Sequence, residues 1–336
     1  MSSREGRRWI VNVSELTAPG APFVKLPAGI ERLDFSGLPR NAAERLVRRP
    51  RLSRYRAALE AVFASRGMPI ISHLPRMTAA VSTFQSLVGR SAPHLAFSFN
   101  FTDLPSGVGR SYLTQAYRTI DEFFVFSAYE RKLYSEYFSL PEERFTRLIW
   151  TQAPPVVAKE PSPFARNSYV SAIGGEGRDY ATLIAAAERL PEINFVIIAR
   201  PYNRLPRLPA NVCLMTNVPL DRTWRIAVES SCLIVPLKTR ATCCGHITLV
   251  AGELLGIPLI STFSEATREY TEDLATCEPG DPVALSQLIR VHHDESPSFK
   301  ATAAGRIPSK LAKYDRGHWK VAIDKSLARY FGSSRA

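Results

Sequence analysis

Residues 233–262 read LIVPLKTRATCCGHITLVAGELLGIPLIST, apolar at both ends with small and polar residues between. LIVPL (233–237) has the length and branched content of a buried strand, VAGELLG (250–256) that of a helix, and PLIST (258–262) that of a second strand. Strand, turn, helix, strand is the unit of a parallel sheet, because parallel neighbours need a crossover that a helix supplies. The turn TRATCCGHIT (239–248) therefore lies at the carboxyl end of a strand. A glycine there lets the backbone approach a ligand closely, and the amides of a helix start favour an anion. Gly245, His246, Ile247 and Thr248 are placed to donate to one, with the Thr248 hydroxyl as a further donor, and pyrophosphate is the natural guest. A purely structural turn, thiol chemistry and a metal site are the competing readings. Cys243 and Cys244 are sequence neighbours whose side chains diverge, which does not suit a metal, and no cysteine–histidine signature marks a nucleophile.

The same unit recurs along the chain. Strand candidates in the first half are RWIVNVSE (8–15), IERLDFS (30–36), MPIISHLP (68–75), PHLAFSFNF (93–101) and EFFVFSA (122–128). After the last of these, Ser127 and Glu130 form a Ser-x-x-Glu capping box that starts a helix. IWTQAPPVVAKEPSPFARN (149–167) is rich in proline and aperiodic, and reads as a linker. The pattern then restarts with SYVSAIG (168–174), NFVIIAR (194–200), NVCLMT (211–216) and SCLIVPL (231–237). In YATLIAAAERL (180–190) the apolar positions 180, 183, 184, 187 and 190 keep helical spacing, so one face is buried. The expectation is an α/β chain of two doubly wound, Rossmann-like domains facing a cleft: residues 1–150, a linker over 151–167, and residues 168–313. A last amphipathic helix, 314–331, is expected to pack back on the first domain.

Composition narrows the function. With 336 residues, 45% apolar and 22% charged, the chain suits two ordinary globular domains. It has no apolar run near the roughly 20 residues of a membrane span. Its N-terminus carries too short an apolar stretch for a secretory signal, so a cytoplasmic location is expected. Five cysteines without C-x-x-C spacing favour neither disulfides nor structural zinc, and read as reduced, mostly buried thiols. The net charge is +12, and residues 39–67 concentrate it: Arg40, Arg45, Arg48, Arg49, Arg51, Arg54, Arg56 and Arg66 stand against two glutamates. Nucleic acid is one partner for such a segment, but no zinc finger or RNA-recognition signature accompanies it. A peripheral seat on an anionic membrane, or attraction of a pyrophosphate-bearing acceptor, fits as well; a merely solvated helix face is the bland alternative.

Several motifs taken together resemble the two-domain GT-B fold, and within it the family 4 nucleotide-sugar glycosyltransferases. They are IGGEGRDYATLIAAAERLP (173–191), NFVIIARP (194–201), NVCLMTNVPLDR (211–222), SCLIVPL, CCGHITLVAGELLGIPLIST (243–262) and EPGDPVALSQLI (278–289). The resemblance is close over 168–290 and looser before it, through ISHLPR, AFSFNFTD and VFSAYERKLYSEYF. It implies a sugar transferase that draws on a nucleotide-diphosphate sugar and needs neither cofactor nor metal, acting on a lipid-linked or polysaccharide-precursor acceptor. It places Arg178 on the donor phosphates, the turn at Val218 on the base, and His73 near the reacting sugar. Lys238 and Arg200 follow strand ends and line the same donor pocket. Asn100 and Asp103, also past a strand end, face the acceptor, with Asp103 the base candidate if the reaction inverts; Arg48 and Arg49 are acceptor contacts. One departure stands out. The family's spaced pair of glutamates falls here on Cys243 and Ala251. Glu253 does not replace the second, because two residues turn a helix by about 200°. A GT-B fold that binds without catalysing is therefore the runner-up, and a nucleic-acid binder the third reading.

Overall fold

The computed structural model describes residues 8–15, 30–46 and 52–331, and two compact units divide the chain. Residues up to Ile149 and from Gly317 onward form the first unit, and Trp150–Arg316 the second.

The sheet of the first unit is built from β1 (Arg8–Ser14), β2 (Ile30–Ser36), β3 (Ile70–His73), β4 (His94–Phe97), β5 (Glu122–Val125) and β6 (Phe145–Arg147). Its order is β2-β1-β3-β4-β5-β6, and every pairing is parallel. Helices α1 (Ala42–Leu46), α2 (Leu52–Ser65), α3 (Pro75–Leu87), α4 (Gly107–Tyr117) and α5 (Ala128–Phe138) supply crossovers. Alternation along the strands sorts the faces. Val11, Val13 and Ile70 pack with Ala57, Ala61 and Met77 of α2 and α3. His73, two residues beyond Ile71, meets the ring of Phe97 on the other face. There the C-terminal helix Gly317–Phe331 docks through buried Trp319, Ile323 and Leu327. Trp319 lies edge-on to Phe97 at 5.0 Å and donates its indole N–H to the Ile149 carbonyl at 2.7 Å. Phe97, Phe99 and Tyr117 are fully buried core residues, with Phe99 4.7 Å from Phe123.

In the second unit, β7 (Tyr169–Gly174), β8 (Asn194–Ala199), β9 (Val212–Thr216), β10 (Leu233–Val235), β11 (Leu259–Thr262) and β12 (Ala275–Cys277) pair in the order β12-β11-β10-β7-β8-β9. All are parallel. The connecting helices are α6 (Tyr180–Glu188), α7 (Leu220–Glu229), α8 (His246–Leu254), α9 (Arg268–Thr271), α10 (Pro282–Asp294), α11 (Ser296–Gly305) and α12 (Ile307–Lys313). All five apolar positions of 180–190 are buried, as their spacing requires. They form one core with Val170, Phe195, Ile234 and Leu285.

Three local differences from the sequence pattern have physical causes. β4 stops at Phe97 because Ser98 takes a left-handed φ of 52°, which breaks the ladder and leaves Asn100 and Asp103 in a loop. Helix α8 begins at His246 rather than near Val250: Gly245, at φ 105°, turns the chain so that the amides of Thr248 and Leu249 both reach its carbonyl at 3.0 Å. The short edge strands β6 and β12, and helices α11 and α12, carry too little periodicity to be read from sequence. Four cysteines are buried and Cys213 is exposed; burial pushes the Cys232 thiol up to about 12. Among the described residues, no helix is long and apolar enough to cross a membrane.

The basic segment 39–67 is less free than its composition suggests. Arg54 is buried in a bidentate pair with Glu15. Arg56 bonds Glu44 at 2.6 Å and Glu60 at 3.0 Å, and Arg40 meets Glu60 at 3.0 Å. Arg45 and Arg66 are exposed, while Arg48, Arg49 and Arg51 lie outside the described residues.

Candidate functional site

Strand order in each sheet reverses direction once, and open α/β sheets bind ligands in the crevice at the carboxyl ends of the strands flanking that point. In the second unit the reversal lies between β7 and β10. The chain leaving β7 passes through Gly174 at φ 131° and Gly177 at φ 66° and turns across the end of β10. Arg178 forms an antiparallel bridge with Leu237; Asp179 N donates to Pro236 O at 2.8 Å, and Lys238 N to Gly177 O at 3.1 Å. Only glycine fits this path. A Cβ on Gly174 would sit 2.8 Å from the Arg178 guanidinium, and one on Gly177 2.8 Å from Thr242 and 3.0 Å from Cys244.

The loop places Arg178 in the interior, 7% exposed. Its Nε donates to Ile173 O at 3.1 Å, Nη1 to Glu176 O at 3.1 Å, and Nη2 to the Thr248 hydroxyl at 3.0 Å. Among the described residues no carboxylate forms an ion pair with it. Burial pushes its pKa below the ordinary value, against the pull of Tyr180, Cys244 and Glu176, yet a guanidinium stays charged in proteins. A buried cation without an ion-pair partner is costly, and an anion is what would offset it. Thr248, its partner, lies in the first turn of α8. Its own amide is bonded to Gly245 O at 3.0 Å and so is not offered to a ligand, while the amides of His246 and Ile247 ahead of it have no carbonyl within the helix to receive them. The turn between β10 and α8 thus sets positive partial charge beside positive full charge.

Of the other donor-side candidates, Lys238 is exposed just beyond Leu237 and Ile247 is 55% exposed in the first turn of α8. His246 contributes its amide alone. Its ring turns inward, Nε2 lying 3.1 Å from Ala266 O and the ring edge-on to Tyr270 at 4.8 Å, and burial pushes its pKa down to about 4. Arg200 is exposed past β8, its amide bonded to the Asn203 side chain at 2.9 Å. Val218 is half-buried in the turn after β9, next to Asn217 at φ 55°, and lines a cavity of about 450 Å³ bounded by α7 and residues 160–163. Cys243, 1% exposed, and Ala251, fully buried, offer no carboxylate. Glu253 faces away, bound to Lys310 at 2.6 Å and to the Tyr314 hydroxyl.

In the first unit the reversal lies between β1 and β3. His73 closes β3, 2% exposed, its Nε2 lying 2.6 Å from Asn12 Oδ1. Asn12 Nδ2 donates to Asp34 at 2.7 Å, so Oδ1 is the acceptor and the His73 proton sits on Nε2. Burial pushes His73 down to about 4, with Asp34 pulling the other way. A ring so reluctant to take a proton is a hydrogen-bonding group rather than a base at neutral pH. Next to it Leu74 is strained at φ 73°, and just past the end of β4 Ser98 is strained at φ 52°, its hydroxyl buried and unpartnered among the described residues. Backbone strain of this kind gathers at ligand sites. Asp103 is exposed and Asn100 half-buried in the loop that follows. Arg48 and Arg49 lie outside the described residues.

Three further residues, Glu176, Tyr202 and Asn203, stand beside this turn without belonging to any recognisable motif. Tyr202 donates its hydroxyl to Glu176 Oε1 at 2.7 Å, and Asn203 donates its amide to Gly175 O at 2.9 Å. The glycine bracketing of Glu176 was the one available signal.

No protein-family model and no curated protein sequence matches this chain. Solved structures do. HepE of Anabaena, crystallised with UDP-glucose, superposes with a TM-score of 0.68 at 12% identity, over 97% of this chain and 99% of that one. Sucrose-phosphate synthase from Thermosynechococcus elongatus gives 0.68 at 11% identity, over 98% and 100%. A glycosyltransferase from Rickettsia africae gives 0.66 at 12%, over 98% and 100%. At such identities the likeness concerns the fold, and with two parallel six-stranded sheets the fold is GT-B.

Proposed function

We propose that this protein transfers a glycosyl group, a hexose in the simplest case, from a nucleotide-diphosphate sugar to a lipid-linked or polysaccharide-precursor acceptor. The observation that carries this reading is Arg178, buried without a carboxylate partner against the first turn of α8 at the reversal point of the sheet. Pyrophosphate matches it in charge and in acceptor atoms. HepE holding UDP-glucose on the same fold favours a nucleotide sugar over other diphosphates. In this reading the second unit holds the donor and the first the acceptor side. Arg178, the α8 amides and Lys238 stabilise the departing diphosphate as negative charge develops on it, a task that needs no metal. Asp103 is the candidate to accept the acceptor's proton. Arg45 and Arg66, with the neighbouring Arg48 and Arg49, would favour a peripheral seat on the anionic inner face of the membrane, consistent with work in the cytoplasm.

The test is calorimetric titration with UDP, ADP and GDP, followed by assay of their glucose conjugates for transfer or slow hydrolysis. Arg178→Ala should weaken diphosphate binding about 10–100-fold, the value of a charge-assisted hydrogen bond. Equal affinity in wild type and variant would overturn the reading. Tight binding with no turnover on any donor would favour a GT-B protein that binds without catalysing.

A further inference from the structure

We infer that Glu176, held by Tyr202, is a hydroxyl-reading residue of the donor site and decides which part of the nucleotide sugar is recognised beyond its diphosphate. This rests on the donor reading above. Electrostatics alone argue against a carboxylate here. Glu176 is exposed on the loop that carries Arg178, its own carbonyl receives Arg178 Nη1 at 3.1 Å, and its charge acts on that guanidinium. A negative group beside an anion site repels the anion, unless the ligand also brings hydrogen-bond donors.

The local geometry keeps the carboxylate in place. Tyr202, 61% exposed, reaches back from the end of β8 and donates its hydroxyl to Oε1 at 2.7 Å. A Cβ on Gly175 would come within 2.6 Å of that hydroxyl and 2.4 Å of the Arg200 side chain, so the two loops close over a bare backbone. Asn203 pins the same contact through Gly175 O at 2.9 Å. Gly177, the residue after Glu176, packs so closely on Cys244, the residue before Gly245, that a Cβ on it would lie 3.0 Å away, which places the pair at the rim of the turn that starts α8. The other nearby carboxylate, Asp179, is engaged as the cap of α6, bonded to Thr182 at 3.0 and 2.6 Å. Oε2 of Glu176 therefore remains the acceptor at this rim. An ionised carboxylate only accepts, so it selects ligand hydroxyls. A nucleotide sugar has two sources of these, the ribose and the transferred sugar.

Full-length wild type and Glu176→Gln are titrated with pyrophosphate, with UDP, ADP and GDP, with their 2′,3′-dideoxy forms, and with their glucose conjugates. The variant should bind pyrophosphate as well as or better than wild type, since a repelling charge is gone. It should bind the hydroxyl-bearing ligand about 10-fold or more weakly. A loss seen with the nucleoside diphosphate and absent from its dideoxy form assigns the ribose. A loss confined to the glucose conjugate assigns the sugar. Tyr202→Phe, which keeps the ring and frees the carboxylate, should show a smaller loss on the same ligand. If Glu176→Gln binds every hydroxyl-bearing ligand as tightly as wild type, the inference is wrong while the cradle stands. If wild type binds no diphosphate at all, both fall.

Discussion

At the scale of single residues, Gly174 and Gly245 hold the candidate site open, and they do so differently. Gly174 at φ 131° faces the Arg178 guanidinium, so a methyl group there must displace the side chain that the anion needs. Gly174→Ala should weaken diphosphate binding nearly as far as Arg178→Ala; retained affinity in a titration would show that Arg178 need not occupy its present place. A Cβ on Gly245 would meet Leu237 at 3.3 Å, a contact that can relax, but the backbone there, at φ 105°, is one that L-residues rarely adopt. Gly245→Val should thus lower stability as well as affinity, by about 1–2 kcal/mol of backbone strain, measurable by denaturant titration. The turn at Gly245 was legible in sequence because a strand ending, a glycine and a helical run follow one another there. Glu176 and Tyr202 were not, since their meaning lies in a contact between two loops 26 positions apart. His73 was legible as a strand-end residue; the burial that lowers its proton affinity and its bond to Asn12 depend on strands distant in sequence.

At the scale of elements, the capping box of α5 shows how local sequence fixes a boundary. Ser127 Oγ receives the Glu130 amide at 3.1 Å and donates to the Glu130 carboxylate at 3.0 Å, which in turn receives Phe126 N at 3.0 Å. All three contacts are buried, so Ser127→Ala should cost the upper part of the usual range, about 1–2 kcal/mol, in chemical denaturation. A change under a few tenths would mean that water replaces the hydroxyl. The C-terminal helix is a different case. Its amphipathic spacing announces a buried face, but not what covers that face. Trp319 supplies the answer by lying between Phe97 and Phe126. Trp319→Ala should cost about 3–5 kcal/mol, and the loss should appear as raised hydrogen exchange along Gly317–Phe331. Edge strands such as β12 were illegible for a related reason: three residues with one buried carry no period.

At the scale of the whole molecule, the repeated strand-turn-helix pattern was enough to give two parallel sheets, because a right-handed helical crossover leaves few ways to join parallel strands. Strand order was beyond reach: it depends on which strand edges meet across residues distant in sequence, and it is the order that creates the reversal points on which the site rests. The same long-range burial makes the fold sensitive to acid. His73 and His94 in the first unit and His246 in the second are held down at about 4, about 3 and about 4, each chiefly by burial of the ring. Unfolding restores each to an ordinary pKa near 6.5. Between those values the unfolded chain binds more protons than the folded one, so stability is full above about pH 6.5 and declines as the pH falls. Three such groups give a slope of about 4 kcal/mol per pH unit near pH 5, set by 1.36 kcal/mol for each proton taken up. His94 separates this effect from general acid weakness, because among the described residues its ring bonds only Ser72, at 2.7 Å, and it lies outside the candidate site. His94→Leu should lower stability at pH 7 through the lost bond, yet flatten the decline between pH 6 and 4.5 by about a third. Denaturant titrations of both proteins across that range make the comparison, and parallel declines would show that carboxylates, not buried imidazoles, govern acid unfolding.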